Sequence, residues 1–86
     1  MRFQVLLPVY NSSRWFEAAL ASVVGHPEGE VLVIDDGSRD DERRKIVEIC
    51  SRYQGVHLFL EPHRGISGTL NFGLSLATAP YIARMD

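Results

Sequence analysis

This chain is short of cysteine, of basic blocks and of long apolar runs, and each shortage closes a class. Cys50 is the one cysteine in 86 residues. No internal disulfide can form, and a reducing compartment is expected. Lys and Arg number 9 against 11 Asp and Glu, for a net charge of -2. With no basic block, bulk electrostatics does not favour nucleic acid as a partner. No apolar run approaches the roughly 20 residues that span a bilayer. The run Val5 to Val9 contains Pro8 and is too short for the apolar region of a signal peptide. A cytoplasmic protein is expected, with work at the cytoplasmic face of a membrane left open for a longer parent. No pair of Cys or His has zinc spacing, and no Gly-x-Ser-x-Gly elbow occurs.

What is present reads as one globular domain, 45% hydrophobic and 23% charged, with a core that is marginal for its length. Its organising stretch is Val31-Leu32-Val33-Ile34-Asp35-Asp36-Gly37-Ser38. Four apolar residues, three of them β-branched, read as a strand buried on both faces of a parallel sheet. The run stops at two carboxylates, at the strand end where an open α/β sheet keeps its ligand crevice. Capping of the next helix is the plain alternative for one of the two acids, although Ser38 is also available as a cap.

The order of elements repeats. Phe3 to Val9 is a strand, with Pro8 at its end. Tyr10-Asn11-Ser12-Ser13 is a turn in which a serine can cap a helix from about Arg14 to Val24. That helix buries Phe16, Ala19, Leu20 and Val23, and Trp15 is expected to pack. Glu30 to Ile34 is the second strand. The second helix opens at Ser38, with Ser38 and Asp41 approximating a capping box. Its apolar stripe is Ile46, Ile49, Cys50 and Tyr53, and its charge run is expected to be a solvated face. Val56 to Leu60 is the third strand. A third helix from Ile66 to Ala77 has Ile66, Leu70, Gly73, Leu74 and Ala77 on one face. Gly68 and Gly73 inside it suggest a close approach by a neighbour. Tyr81 to Met85 is a fourth strand. Three strand-helix units and a strand give an α/β fold with helices on both faces of a parallel, Rossmann-like sheet. With no helix to follow the last strand, these residues are expected to be the front part of a longer domain.

The residues after each strand converge on one sheet edge: Pro8-Val9-Tyr10-Asn11, Asp35-Asp36-Gly37-Ser38, Pro62-His63-Arg64-Gly65, and Asp86. Tyr10 offers a flat face to a base. Asp36 can accept from a base N–H or a ribose hydroxyl. His63, Arg64 and the third helix N-terminus can meet phosphate. Asp86 can help hold a hard divalent cation. The first turn has no Gly-x-Gly-x-x-Gly, which disfavours a dinucleotide-dependent oxidoreductase, and no acid, which disfavours a phosphoacceptor signalling domain.

At these residues the chain resembles the family 2 glycosyltransferases of the GT-A fold. The matching pieces are Val5 to Asn11, Val31 to Ser38, Gly65-Ile66-Ser67-Gly68 with Leu70 to Leu74, and Ala79 to Asp86. The resemblance implies a sheet of order 3-2-1-4 and inverting sugar transfer from a nucleotide diphosphate donor, commonly UDP-linked, to an unknown acceptor, with Mg2+ or Mn2+. It implies that Pro8, Val9, Tyr10, Asn11, Asp35, Asp36, Gly37, Ser38, Arg64 and Gly65 form the nucleotide site. Asp86 matches the first acid of the metal motif, and the catalytic base would lie beyond this chain. One departure is Thr69-Leu70, where many members carry Ala-Arg, so a role for that arginine in holding the diphosphate is either absent here or passed to Arg64. A non-catalytic nucleotide-binding or interaction domain of the same fold stays open.

Overall fold

The computed structural model describes residues 2–85. Asp86, the expected metal ligand, therefore lies outside the described residues. The order is β1 (Phe3–Val9), α1 (Ser13–Ala21), β2 (Gly29–Asp36), α2 (Asp40–Ser51), β3 (Val56–Glu61), α3 (Gly65–Leu76) and β4 (Tyr81–Arg84). The four strands make one parallel sheet of order β3-β2-β1-β4, the order expected from the family resemblance.

Strand residues point to alternate faces, and each face has its own cover. Leu7, Val9, Val31 and Val33 pack with Phe16 and Leu20 of α1 and Ile46, Ile49 and Cys50 of α2. The opposite face carries Leu6 and Ile34, against which Gly73 of α3 sits. A Cβ at Gly73 would come within 2.7 Å of Ile34 Cδ1, so this glycine marks the close approach that its helix position suggested. Val31 to Ile34 are all buried, as an interior strand of a covered parallel sheet requires. Each such side chain contributes about 1.5–3 kcal/mol by leaving water, so β2 is the anchor of both layers. Buried Gln4 binds β1 to the turn before β4: its Oε1 accepts the N–H groups of Thr78 and Ala79 at 2.8 and 2.9 Å.

Several local expectations are corrected. Helix α1 ends at Ala21 rather than Val24, and neither Ser12 nor Ser13 caps it by side chain. The N-terminus of α1 is instead capped across the fold, where Ser13 N–H donates to Glu42 Oε2 at 3.0 Å. Hydrogen bonds from Ser13 hold the Glu42 carboxyl below the usual carboxylate range. Ser38 does not open α2, which starts at Asp40 without a side-chain cap. The charge run is not merely a solvated face, because Arg43 reaches back to Asp35 at the end of β2 and Glu42 to the start of α1. Trp15 does not pack inward: it is 67% exposed, with the Arg14 guanidinium 5.0 Å from its ring. On α3, Ile66 and Leu74 are exposed and Thr69 is buried in their place. The Thr69 hydroxyl loses no hydrogen bond there, since it donates to Gly65 O at 2.8 Å.

Candidate functional site

At the carboxyl ends of β1 and β2, on the α3 side, lies a cavity of about 220 Å³. Pro8, Val9, Tyr10, Asp36, His63, Gly65, Ile66 and Thr69 line it. Pockets for whole ligands run from about 300 to 1,000 Å³, so this one has room for a ring rather than for a complete nucleotide sugar.

The two adjacent acids go opposite ways, as neighbours on a strand must. Asp35 points to the α2 face and is 0% exposed. Its Oδ2 accepts from Arg43 Nε at 2.6 Å and from Ser38 N–H at 3.1 Å. Arg43 also donates to the main-chain oxygen of Glu61. Asp35 Oδ1 has no partner among the described residues. Asp35 is thus a buried ion-pair partner and does not line this cavity.

Asp36 points to the α3 face and into the cavity. Its Oδ1 accepts from Arg64 N–H at 2.6 Å and its Oδ2 from Gly65 N–H at 2.9 Å. The carboxylate therefore caps α3 itself, satisfying N–H groups that a helix start leaves free. His63 Nδ1 lies 3.0 Å from Asp36 O and 3.1 Å from Asp36 Oδ2. A carboxylate offers about four lone-pair positions. Arg64 and Gly65 take one each by hydrogen bond, and His63 Nδ1, bonded to Asp36 O, stands 3.1 Å from Oδ2, which leaves a further acceptor position on Oδ1.

The loops around the acids are laced together. Asn11 N–H donates to Ser38 Oγ at 2.8 Å, and Asn11 Oδ1 accepts from Arg39 N–H at 2.9 Å. Asn11 and Ser38 so hold the β1 and β2 loops to each other. Gly37 has φ +75°, and a Cβ there would lie 2.5 Å from His63 N. Only glycine fits that turn without moving the β3 loop.

Of the residues expected in the site, the structure gathers Pro8, Val9, Tyr10, Asp36 and Gly65 around the cavity. Asn11, Gly37 and Ser38 support it from behind. Arg64 joins through its main chain only: its guanidinium donates to Glu61 Oε1 at 2.8 Å and lies 5.0 Å from the Phe72 ring. This places the guanidinium outside the lining of the ring-sized cavity. Ile66 and Thr69 line the cavity without having been expected there, and His63, expected to meet phosphate, lines it beside Tyr10 and Asp36. The ring of His63 sits 4.4 Å from that of Tyr10, tilted by 32°. The signal for His63 was its place in the third strand-to-helix loop, which sequence could not separate from a solvated loop position.

Among the described residues there is no group of three or more His, Cys, Asp or Glu that could hold a metal ion. No described helix is long and apolar enough to cross a membrane.

Relatives share this sequence and shape. A glycosyltransferase of Rickettsia felis is 34% identical over 99% of this chain, which spans 14% of that protein. The poly-beta-1,6-N-acetyl-D-glucosamine synthase of Staphylococcus epidermidis is 34% identical over 94% of the chain, which spans 20% of it. A mannosyltransferase from Pyrobaculum calidifontis, solved in complex with GDP-Man and Mn2+, superposes with a TM-score of 0.77 at 27% identity. That match covers 90% of this chain and 24% of the other. The chain therefore spans a small part of the proteins it matches. Residues 4–86 match the profile of Glycosyl transferase family 2, and the chain belongs to that family.

Proposed function

We propose that these 86 residues are the nucleotide-binding portion of a glycosyltransferase domain. The parent enzyme moves a sugar from a UDP-linked donor to an acceptor hydroxyl, with inversion and with Mg2+ or Mn2+ as cofactor. The observation that carries this reading is the Asp36 carboxylate, held at the edge of a ring-sized cavity beside Tyr10 with one acceptor position open. A base that stacks on Tyr10 can give one ring N–H to that position. Uracil has a single such N–H flanked by carbonyls. Guanine presents an amino group beside its ring N–H, and the amino group would need a second acceptor. This argument favours UDP even though the structural neighbour carries GDP-Man. Support for the cation comes from that neighbour's Mn2+ and from Asp86, which matches the family's metal motif. Support for an envelope polysaccharide as product comes from the staphylococcal synthase. The chain holds no residue assigned as catalytic base, so the chain alone is expected to show no transfer.

Calorimetric titration of the chain with UDP, GDP, ADP and NAD+ tests the reading. UDP should bind most tightly. Base–aromatic stacking is worth about 1–3 kcal/mol, so Tyr10→Ala should weaken UDP by about 5- to 150-fold. Preference for NAD+, or UDP binding indifferent to Tyr10, would refute it.

A further inference from the structure

We propose that His63 is the positioning residue of the base site, coupling the Tyr10 ring to the Asp36 carboxylate so that stacking and hydrogen bonding act as one unit. The inference rests on the nucleotide reading above and gives His63 a part at the base rather than at a phosphate.

The geometry defines what His63 does on each side. Its Nδ1 faces two oxygens of Asp36, the main-chain O at 3.0 Å and Oδ2 at 3.1 Å. A main-chain carbonyl has no proton to give, so the proton of that contact is on Nδ1. The ring face then lies along Tyr10, with centroids 4.4 Å apart. The chain around His63 is fixed as well. Gly37 leaves room for its backbone, and the next two N–H groups are both held by Asp36.

Packing alone does not account for the pair. Tyr10 is 49% exposed and the His63 side chain 55% exposed. Two rings half in water at a cavity mouth add little to a core, but they do present a prearranged face to a ligand. The other two histidines are occupied elsewhere: His26 Nδ1 accepts from Glu28 N–H at 3.1 Å, and His57 Nε2 lies 2.8 Å from Glu30 Oε2.

Two substitutions separate the halves. His63→Phe keeps an aromatic face for Tyr10 and loses the Nδ1 proton. His63→Asn keeps an N–H donor near the Nδ1 position and loses the ring. Each should raise the Kd of the 86-residue chain for UDP by about two- to tenfold. Combining His63→Asn with Tyr10→Ala should cost less than the product of the two single effects, because the Tyr10 contribution depends on His63. Affinity for inorganic pyrophosphate, which has no base, should not change. A role in stability alone would move the melting temperature and leave the UDP coupling at zero. Unchanged UDP affinity in both variants, strictly multiplicative losses, or an equal fall for pyrophosphate would each overturn the proposal while leaving the nucleotide reading intact. A wild-type chain that takes no UDP would refute both.

Discussion

Replacing Asp36 with alanine removes a helix cap along with any contact to a base. The carboxylate accepts two main-chain N–H groups at the start of α3 and is 4% exposed. Loss of a capping side chain costs about 0.5–2 kcal/mol. A carboxylate at a helix N-terminus adds about 0.3–1 kcal/mol through the helix dipole. Both donors lose their partner here, so Asp36→Ala should cost about 2–3 kcal/mol. For a domain of this size 1 kcal/mol moves the Tm by about 4–8 °C, which predicts a fall of about 10–20 °C. Asp36→Asn keeps one acceptor but turns an amino group toward the other donor, so it should fall between wild type and alanine. Circular dichroism melts of the three proteins measure the series directly. An alanine variant melting within about 3 °C of wild type would refute the cap. This series also bears on the binding test. Lost UDP affinity in Asp36→Ala counts as loss of a base contact only at temperatures well below the variant's own Tm.

Three further outcomes follow from buried or exposed groups. Arg43→Met leaves Asp35 buried without its cation; breaking such a pair costs about 3–5 kcal/mol, and the lower end applies because the Arg43 side chain is 28% exposed. Its urea midpoint should drop, and adding Asp35→Asn should restore part of the loss. Burial pushes the Cys50 thiol up to about 11, so at pH 8 alkylation should be slow until urea unfolds the chain. That raised thiol contributes stability that is complete below its ordinary value of 9.0 and lost as pH climbs toward 11. A pH series of urea midpoints would show this, and fast alkylation of the folded chain would contradict it. Trp15 is the one tryptophan and 67% exposed. Its fluorescence should already resemble indole in water and shift little on unfolding, and Trp15→Ser should change stability by less than about 0.5 kcal/mol.

The layers were legible in the sequence because they rest on periodicity. Four apolar residues in a row at Val31 to Ile34 mean cover on both faces, and the stripe Ile46, Ile49, Cys50 and Tyr53 means one buried helix face. The interlocking of loops was not legible, because its partners are far apart in the chain. Ser38 looked like a local cap, but its hydroxyl is taken by Asn11 N–H from 27 residues away. Arg43 sits between acids and other cations, and nothing local separates it from Arg44 or Lys45. Counting apolar residues on α3 selected Ile66 and Leu74 and passed over Thr69, whose hydroxyl is satisfied inside its own helix.

The paired acids show where a simple rule would have gone further. Adjacent strand residues cannot both face one cleft, so Asp35-Asp36 had to divide between the two layers. The division has a use. On one face Asp35 and the main-chain oxygen of Glu61 share Arg43, which fixes the ends of β2 and β3 relative to each other. On the other face those same strand ends carry Asp36 and lead into His63, the polar pair of the cavity. The spacing of the cleft is therefore set from the side opposite it, through the Asp35–Arg43 ion pair. Arg43 substitutions should then weaken nucleotide binding at temperatures where the chain is still folded, and by more than substitutions of Arg44, which makes no such bridge among the described contacts.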